Sequence, residues 1–180
     1  MLRAFVYLVL GWLLIALVGG LAEVLDLTVM LPATSAVILT HVAFSRRSSV
    51  PAGLAVAVSL GYLEDLHQGA PIGTLSMAHA LAFLVLHWAS ARLALSGWLL
   101  RGLVSLLAVV LVDLLTAGVL LTMADVLEMR REVVLGSLAG IHWHALATLL
   151  VAPPVWSLVE WTFTRLRLED RPPRESWTGR

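Results

Sequence analysis

The feature that most constrains this chain is a series of six apolar stretches, separated by short gaps whose charges alternate in sign. A helix that crosses a membrane needs about 20 mostly apolar residues, and a chain of 180 residues holds six of them with only short connectors. With 59% hydrophobic and 13% charged residues, the composition has too few polar side chains to cover a water-soluble domain of this size. The sequence therefore predicts an all-α, polytopic integral membrane protein with six transmembrane helices.

These helices are expected to form one transmembrane domain at residues 1–164, followed by a short cytoplasmic tail at 165–180. The third stretch is short for a full crossing, which leaves open whether it is tilted, extends through Leu66 or ends inside the membrane. Pro32 is expected to kink the beginning of the second helix, and Pro153-Pro154 to break or kink the sixth. The predicted helices span about Ala4–Leu21, Leu27–Phe44, Val50–Tyr62, Thr74–Leu95, Leu99–Met123 and Val133–Phe163.

The distribution of charge predicts which side of the membrane each end of the chain occupies. All 12 basic residues are arginines; Arg130 and Arg131 lie in the fifth gap, and the others precede the first stretch or lie around the second and fourth gaps and in the tail. Acidic residues occupy the first, third and fifth gaps. Because cytoplasmic gaps accumulate arginine and lysine, both termini are predicted to be cytoplasmic. The formal net charge of zero gives no reason to expect a nucleic-acid partner.

Small and polar residues inside the apolar stretches are expected to face one another, because membrane helices associate through such side chains. The fourth stretch carries His79 and His87 on one face, and the sixth carries Gly136, Gly140 and His144 at intervals of four residues. The two glycines are predicted to be points of close helix packing, and the histidines to be intramembrane polar contacts.

Asp113 lies in the middle of the fifth stretch, between Val112 and Leu114. A carboxylate at that depth costs several kcal/mol unless it is paired, protonated or in contact with water. One interpretation is a site for a proton, an ion or a substrate. The favoured interpretation is an interior anchor, hydrogen-bonded to a hydroxyl, imidazole or indole of another helix, because no second charged group is expected at the same depth to form a relay.

No catalytic, metal or cofactor site is predicted. The chain has no cysteine, which excludes thiolate ligands and cysteine nucleophiles. His142 and His144 diverge by about 200° on a helix and do not share a metal ion. The sequence Glu64-x-x-His67 occurs once, whereas carboxylate-bridged metal sites use two copies. No nucleophile elbow, phosphate-binding loop or zinc-protease motif is present.

The most strongly specified segment is the turn after the third stretch, which contains Gly61, Asp65, Gly69, Pro71 and Gly73, here called the turn motif. Glycine permits backbone angles and close approaches that other residues resist, and the aspartate is placed to cap or pair within the turn. One interpretation is a docking or folding element at the outer surface, beside acidic side chains that are expected to be exposed. The other interpretation is a plain helix-breaking connector.

At these residues the chain resembles the bacterial rod shape-determining protein MreD family, in which a third hydrophobic segment ends in Gly-x-x-x-Asp and a Gly-(x)-Pro-x-Gly turn opens the next helix. The resemblance includes Pro32 and Asp113, the latter following an apolar run, and it covers about Pro32–Leu121. The chain departs from the family pattern at Glu64, which adds a second acid, and at Thr74, where asparagine is common.

The resemblance implies a non-enzymatic subunit of the cell-elongation machinery in the bacterial inner membrane, without a cofactor. It implies a fold similar to the substrate-binding subunits of energy-coupling-factor vitamin transporters. The implied partners are a bitopic MreC-like protein, the SEDS glycosyltransferase RodA, a class B penicillin-binding protein and membrane lipids. Two alternatives stay open: a subunit that captures a vitamin-type solute from outside, and an intramembrane enzyme that acts on lipid-linked sugars near Asp65.

Overall fold

The structure, a computed structural model, describes residues 2–25, 31–45, 49–93 and 97–168. Within these ranges the regular secondary structure is entirely helical. The helices are α1 (Leu2–Leu25), α2 (Thr34–Phe44), α3 (Val50–Gln68), α4 (Thr74–Ser90), α5 (Trp98–Met123), α6 (Arg131–Ser137) and α7 (Ile141–Arg165), with a 3-10 turn at Leu138–Gly140 between the last two.

Three helical segments are long and apolar enough to cross a membrane, namely Leu2–Val24, Trp98–Met123 and Arg131–Arg165. The helices α2 and α4 are apolar but shorter. At 1.5 Å per residue, α2 measures only about 16 Å and does not span a hydrocarbon core by itself. The prediction of an all-helical fold is therefore confirmed, and the helices are those of a membrane protein.

The helix α2 lies at the centre of the bundle. It packs against α1, α3, α4, α5 and α7, and these neighbours contact one another in the order α1–α3–α4–α5–α7. All residues of α2 except His41 and Phe44 are buried. A helix that is apolar on every side is typical of such a central position, so the short second stretch forms the core rather than an outer wall.

Both ends of the described chain lie at the same end of the bundle, here called the termini end. Arg3 donates a hydrogen bond to the carbonyl of Leu168, and its guanidinium lies 5.6 Å from the ring centroid of Phe163. The segment Gly69–Gly73 lies at the opposite end, here called the turn end, because each of the helices α1 to α4 runs antiparallel to the next one. Arginines 92, 101 and 165 lie toward the termini end, while Glu23, Glu64, Asp65 and Asp125 lie toward the turn end. The predicted cytoplasmic pair at 46 and 47 lies outside the described residues.

The prediction for the beginning of the second helix was wrong. The segment Leu31–Ala33 is not helical, and α2 begins at Thr34 instead of Leu27; residues 26–30 lie outside the described ranges. Pro32 therefore precedes α2 and does not kink it. The physical reason is that proline disfavours the helical conformation of the residue before it and has no N–H to donate.

The third and fourth helices also differ from prediction. Of the three possibilities for the third stretch, the structure shows the extended one: α3 continues to Gln68 and ends at Gly69, whose φ of 67° is left-handed. The fourth helix ends at Ser90 and not at Leu95, which lies outside the described residues. After it the chain turns, and the Arg92 guanidinium lies 3.7 Å from the Trp88 ring centroid.

The sixth predicted helix is interrupted, but not at its prolines. The interruption is the 3-10 turn at Leu138–Gly140, whereas α7 continues through Pro153 and Pro154. Each proline removes one backbone donor, but the buried side chains of Ala152, Val155 and Trp156 hold this part of α7 against the bundle. Packing against neighbouring helices makes proline tolerable inside membrane helices.

Close packing between helices occurs at glycines other than those predicted. A Cβ at Gly61 would lie 2.4 Å from the Leu75 carbonyl oxygen, and one at Gly53 would overlap the Phe83 ring, so α3 and α4 approach closely at both. A Cβ at Gly136 or Gly140 would meet no atom within 4 Å. The packing role predicted for these last two was wrong, because the 3-10 turn changes the helical register and this segment lies on the surface.

The variant Gly61→Ala is expected to lower the stability of the protein by about 1–3 kcal/mol, because its methyl group would overlap rigid backbone of α4. The matched variant Gly136→Ala should be neutral or stabilising by about 0.5–1 kcal/mol, since its methyl group points into open space. Thermal unfolding in detergent, followed by tryptophan fluorescence, measures both. Equal effects of the two substitutions would contradict the close contact between α3 and α4.

Candidate functional site

The carboxylate of Asp65 caps α4 from the end of α3. It accepts hydrogen bonds from the backbone N–H groups of Gly73 at 2.8 Å, Leu75 at 2.9 Å and Ser76 at 3.3 Å, and from the Ser76 hydroxyl at 3.3 Å. The first N–H groups of a helix have no partner within the helix, and a negative charge there is favoured by the helix dipole. A single side chain thus accepts hydrogen bonds from the N–H groups that have no partner within α4.

The other residues of the turn motif make this cap possible. Gly69 and Gly73 have φ angles of 67° and 98°, which favour glycine. The carbonyl of Pro71 accepts the N–H of Thr74 at 3.1 Å, and Gly61 permits the close approach to α4 described above. These contacts indicate a folding role for the turn motif. Folding and docking were the two roles of the first interpretation of this turn.

The acidic side chains beside the turn are not exposed, contrary to prediction. Asp65 is 1% exposed and Glu64 is 7% exposed. Glu64 lies on the face of α3 that contacts the bundle, because α3 continues past Tyr62 as a regular helix. A docking surface made of these two acids is excluded. An enzyme that uses Asp65 on a lipid-linked sugar is also disfavoured, because both carboxylate oxygens of Asp65 already accept hydrogen bonds.

Glu64 belongs to a buried network that joins α2, α3 and α4. The Ser35 hydroxyl donates to Glu64 Oε1 at 2.5 Å, and His79 Nε2 lies 3.1 Å from Ser35 Oγ and 3.4 Å from Glu64 Oε2. His79 Nδ1 donates to the Leu75 carbonyl at 2.9 Å, since a carbonyl only accepts. Ser35 and His79 are both fully buried, so their pairing with Glu64 holds three helices together and neither of these two side chains meets a substrate.

A second pair joins α5 and α7. His144 Nδ1 lies 2.9 Å from Asp113 Oδ2, which agrees with the interpretation of Asp113 as an anchor bonded to an imidazole. One turn further along α7, the Thr148 hydroxyl donates to the His144 carbonyl at 2.8 Å and accepts the N–H of Ala33 at 2.9 Å. The non-helical entry into α2 is thereby satisfied from α7.

The remaining predicted histidines have smaller roles. His87 Nδ1 lies 3.4 Å from the Ala43 carbonyl, and its ring stacks on Phe83 with centroids 5.6 Å apart. His142 is exposed and packs against Trp143, so it and His144 point in different directions, as predicted. Among the described residues, no group of three or more metal-ligating side chains is placed to hold a metal ion.

A cluster of aromatic and polar side chains at the termini end was not predicted from the sequence. The Tyr7 hydroxyl lies 2.8 Å from His41 Nδ1, and the His41 ring packs on Trp156 with centroids 4.7 Å apart. Trp156 Nε1 donates to the Ser105 hydroxyl at 3.0 Å, and Tyr7 also packs on Phe163. These contacts join α1, α2, α5 and α7. The available signal was His41 itself, a polar ring inside an otherwise apolar stretch.

A cleft of about 700 Å³ opens at the turn end, between α1 and the beginnings of α2 and α7. Its walls are the α1 segment from Ile15 to Glu23, the entry Leu31–Thr34, and the side chains of Glu64, His67, Gln68 and His144. The helices α1 and α7 meet through Tyr7 and Phe163 at the termini end and lie apart here. The cleft brings Glu64, predicted at the outer surface, together with His144, predicted inside the bundle.

No protein family, curated protein or solved structure matches this chain. The interpretation of the cleft and of its hydrogen-bond networks therefore rests on the geometry of the described residues.

The variant Asp65→Ala is expected to destabilise the protein by about 2–4 kcal/mol, because the buried or partly buried N–H groups of Gly73, Leu75 and Ser76 lose their acceptor. Asp65→Asn should cost less, since it keeps an acceptor oxygen without the charge. Asp125→Ala is the control: its side chain is 85% exposed and pairs with Arg131 at the surface, so no measurable change is expected. An equally small effect of Asp65→Ala in thermal unfolding would contradict the cap.

Asp113→Ala and His144→Ala are expected to be non-additive. Interhelical hydrogen bonds inside membrane proteins contribute about 0.5–2 kcal/mol, so the double variant should be less destabilised than the sum of the single variants by about that amount. The comparison pair Asp113→Ala and Ser157→Ala should be additive, because the Ser157 hydroxyl bonds only to the Pro153 carbonyl of its own helix. Additivity of the first pair would show that the observed contact is not formed.

Proposed function

We propose that this chain is an MreD-like, non-enzymatic subunit of the bacterial cell-elongation machinery, located in the inner membrane and crossing it six times with both termini in the cytoplasm. The observation that carries the proposal is that the residues of the turn motif act together: Gly61, Asp65 and Gly73 form one cap between α3 and α4. Because each of these residues has its own geometric role, the match to the family pattern is less easily explained by chance than a match of sequence alone.

The arrangement of the bundle supports an even number of crossings. The two ends of the described chain meet through Arg3 and Leu168, and the chain reverses direction between consecutive helices up to α6, which continues into α7 as one segment. The short α2 is enclosed by its neighbours, and its entry is hydrogen-bonded by Thr148, which is the condition under which non-helical backbone is tolerated at membrane depth. The similarity to energy-coupling-factor subunits is part of the proposal.

The helices expose apolar surface that either lipid or the helix of a partner can cover. On α1, Phe5, Leu17 and Leu21 are each more than half exposed, and on α7 Leu150 is 73% exposed. Lipid and a partner's transmembrane helix are equally suited to such surfaces. We infer that the single transmembrane helix of an MreC-like partner packs on an apolar face of this kind, and that its periplasmic region contacts the turn end. RodA and the class B penicillin-binding protein would join this pair.

Co-expression with an MreC-like protein is expected to give a stable complex in mild detergent and in native-membrane nanodiscs. The matched control is the same partner with its transmembrane helix replaced by an unrelated apolar helix, which should not co-purify if the helix carries recognition. Absence of association in native membranes would contradict the proposal.

One observation favours a second function, a subunit that captures a small solute. The cleft at the turn end has a volume within the range of about 300–1,000 Å³ that is usual for small-molecule sites. Its described lining contains no phenylalanine, tyrosine or tryptophan, whereas a vitamin site is expected to offer the faces of such rings. A thermal-shift screen with vitamins separates the two functions: saturable stabilisation at low vitamin concentration would favour solute capture over the elongation role.

A further inference from the structure

The cleft at the turn end combines hydrogen-bond acceptors with an excess of negative charge. The ionisable side chains that line it are Glu23, Glu64, His67 and His144, and no arginine is among its described lining residues. Asp113 lies directly behind His144. His79 lies beside Glu64 and His144 beside Asp113, so two doubly protonated imidazoles would balance only two of the three carboxylates. A phosphate or carboxylate ligand would therefore meet net repulsion here.

Of the two imidazoles that line the cleft, His67 is oriented so that its neutral form presents an acceptor. His144 Nδ1 bonds to the Asp113 carboxylate, and His67 Nδ1 donates to the Leu63 carbonyl at 2.8 Å. The proton of the neutral His67 ring is thus held on Nδ1, which leaves its Nε2 with a lone pair. His144 Nε2 has no hydrogen-bond partner among the described residues.

Glu64 retains the capacity to bind a further donor. A carboxylate has about four lone-pair positions, and this one receives the Ser35 hydroxyl on one oxygen and faces His79 with the other. Other lining residues are apolar, namely Ile15 and Val18 of α1 and Leu31 before α2, and Glu23 lies at the end of the same α1 segment. The cleft therefore offers an anionic, acceptor-rich side and a hydrocarbon side.

We propose that this cleft binds an organic cation with a primary ammonium group, with Glu64 as counter-ion and the apolar wall in contact with the carbon chain. Such an ammonium group occurs on free amines and on the phosphatidylethanolamine headgroup. The inference goes beyond the assembly role and does not depend on it: an MreC-like partner binds or fails to bind irrespective of the cleft.

The first experiment uses the full chain in nanodiscs of phosphatidylglycerol, a lipid without an ammonium group. Thermal unfolding is measured with n-hexylamine, hexanoate and hexanol, which share chain length and differ in charge. Hexylamine is expected to raise the unfolding temperature saturably, whereas hexanoate and hexanol produce only the unsaturable effect of dissolving in the membrane.

The second experiment tests the lipid source of the same group. The protein is placed in nanodiscs with equal amounts of phosphatidylethanolamine and phosphatidylglycerol of identical acyl chains, and native mass spectrometry counts the lipids that it retains. Retention of phosphatidylethanolamine with no hexylamine shift identifies the headgroup as the ligand. A hexylamine shift without lipid preference identifies a free amine, and both effects together identify the shared ammonium.

The chain offers a matched pair of variants on consecutive residues of α1. A Cβ at Gly19 or at Gly20 would meet no atom within 4 Å, but only Gly19 lines the cleft. Gly19→Leu is therefore expected to fold and to fill the cleft, weakening amine or lipid binding by about tenfold or more. Gly20→Leu, with the same gain in helix propensity, should bind as the unaltered chain does.

Glu64→Gln removes the counter-ion and should weaken binding about tenfold, as expected for a charge-assisted pair. Its control is Glu160→Gln, because Glu160 pairs with Arg101 at the termini end, away from the cleft. If Glu64→Gln does not fold, the Gly19→Leu comparison still decides. Three results would each overturn the proposal. Hexanoate could bind better than hexylamine, both the amine and the lipid effects could be absent, or the Gly19→Leu and Gly20→Leu variants could bind equally well.

Discussion

The structure depends on one constraint: a polar group inside a helical bundle in hydrocarbon must find its partner within the protein. The entry into α2 illustrates this. The N–H of Ala33 is bonded by Thr148, whose own proton goes to the His144 carbonyl. The same requirement explains why Asp65 collects the free N–H groups of α4, and why Ser35, Glu64 and His79 are found together across three helices.

Meeting this constraint also shapes the cleft. The short α2 leaves a non-helical entry at the turn end, and α7 holds it through Thr148. At the termini end, Tyr7 and Phe163 draw α1 and α7 together, whereas the two helices lie apart at the turn end. The polar side chains that line the resulting opening, Glu64 and His144, are fixed from behind by their own networks. The hydrogen bonds that the bundle needs for its buried polar groups therefore also produce a fixed polar surface beside an apolar wall.

The sequence was sufficient for the helical class, the approximate positions of the helices and the importance of Asp65 and Asp113, because apolar length and isolated charges are local signals. It was insufficient for the location of close packing. Gly136 and Gly140 recur every four residues, yet a 3-10 turn disturbs their register, whereas Gly53, Ala57 and Gly61 have the same spacing within a continuous helix, and Gly53 and Gly61 meet α4.

The orientation of Glu64 was missed for a related reason. Its exposure depends on whether α3 continues past Tyr62, and hydropathy alone does not determine this, because the last turns of α3 contain polar residues. The network with Ser35 and His79 requires three helices to be in place at once. Contacts of this kind arise from tertiary packing and leave no periodic trace in the sequence.

Single-cysteine labelling tests the central claim most directly, since the chain contains no cysteine of its own. Four exposed positions are suitable: Ile72→Cys and Val126→Cys at the turn end, and Leu93→Cys and Leu166→Cys at the termini end. In cells whose outer membrane alone is permeabilised, an impermeant maleimide is expected to label the first two variants and to reach the last two only after the inner membrane is opened. Labelling of Leu93→Cys and Leu166→Cys from opposite sides would contradict six alternating crossings around α2.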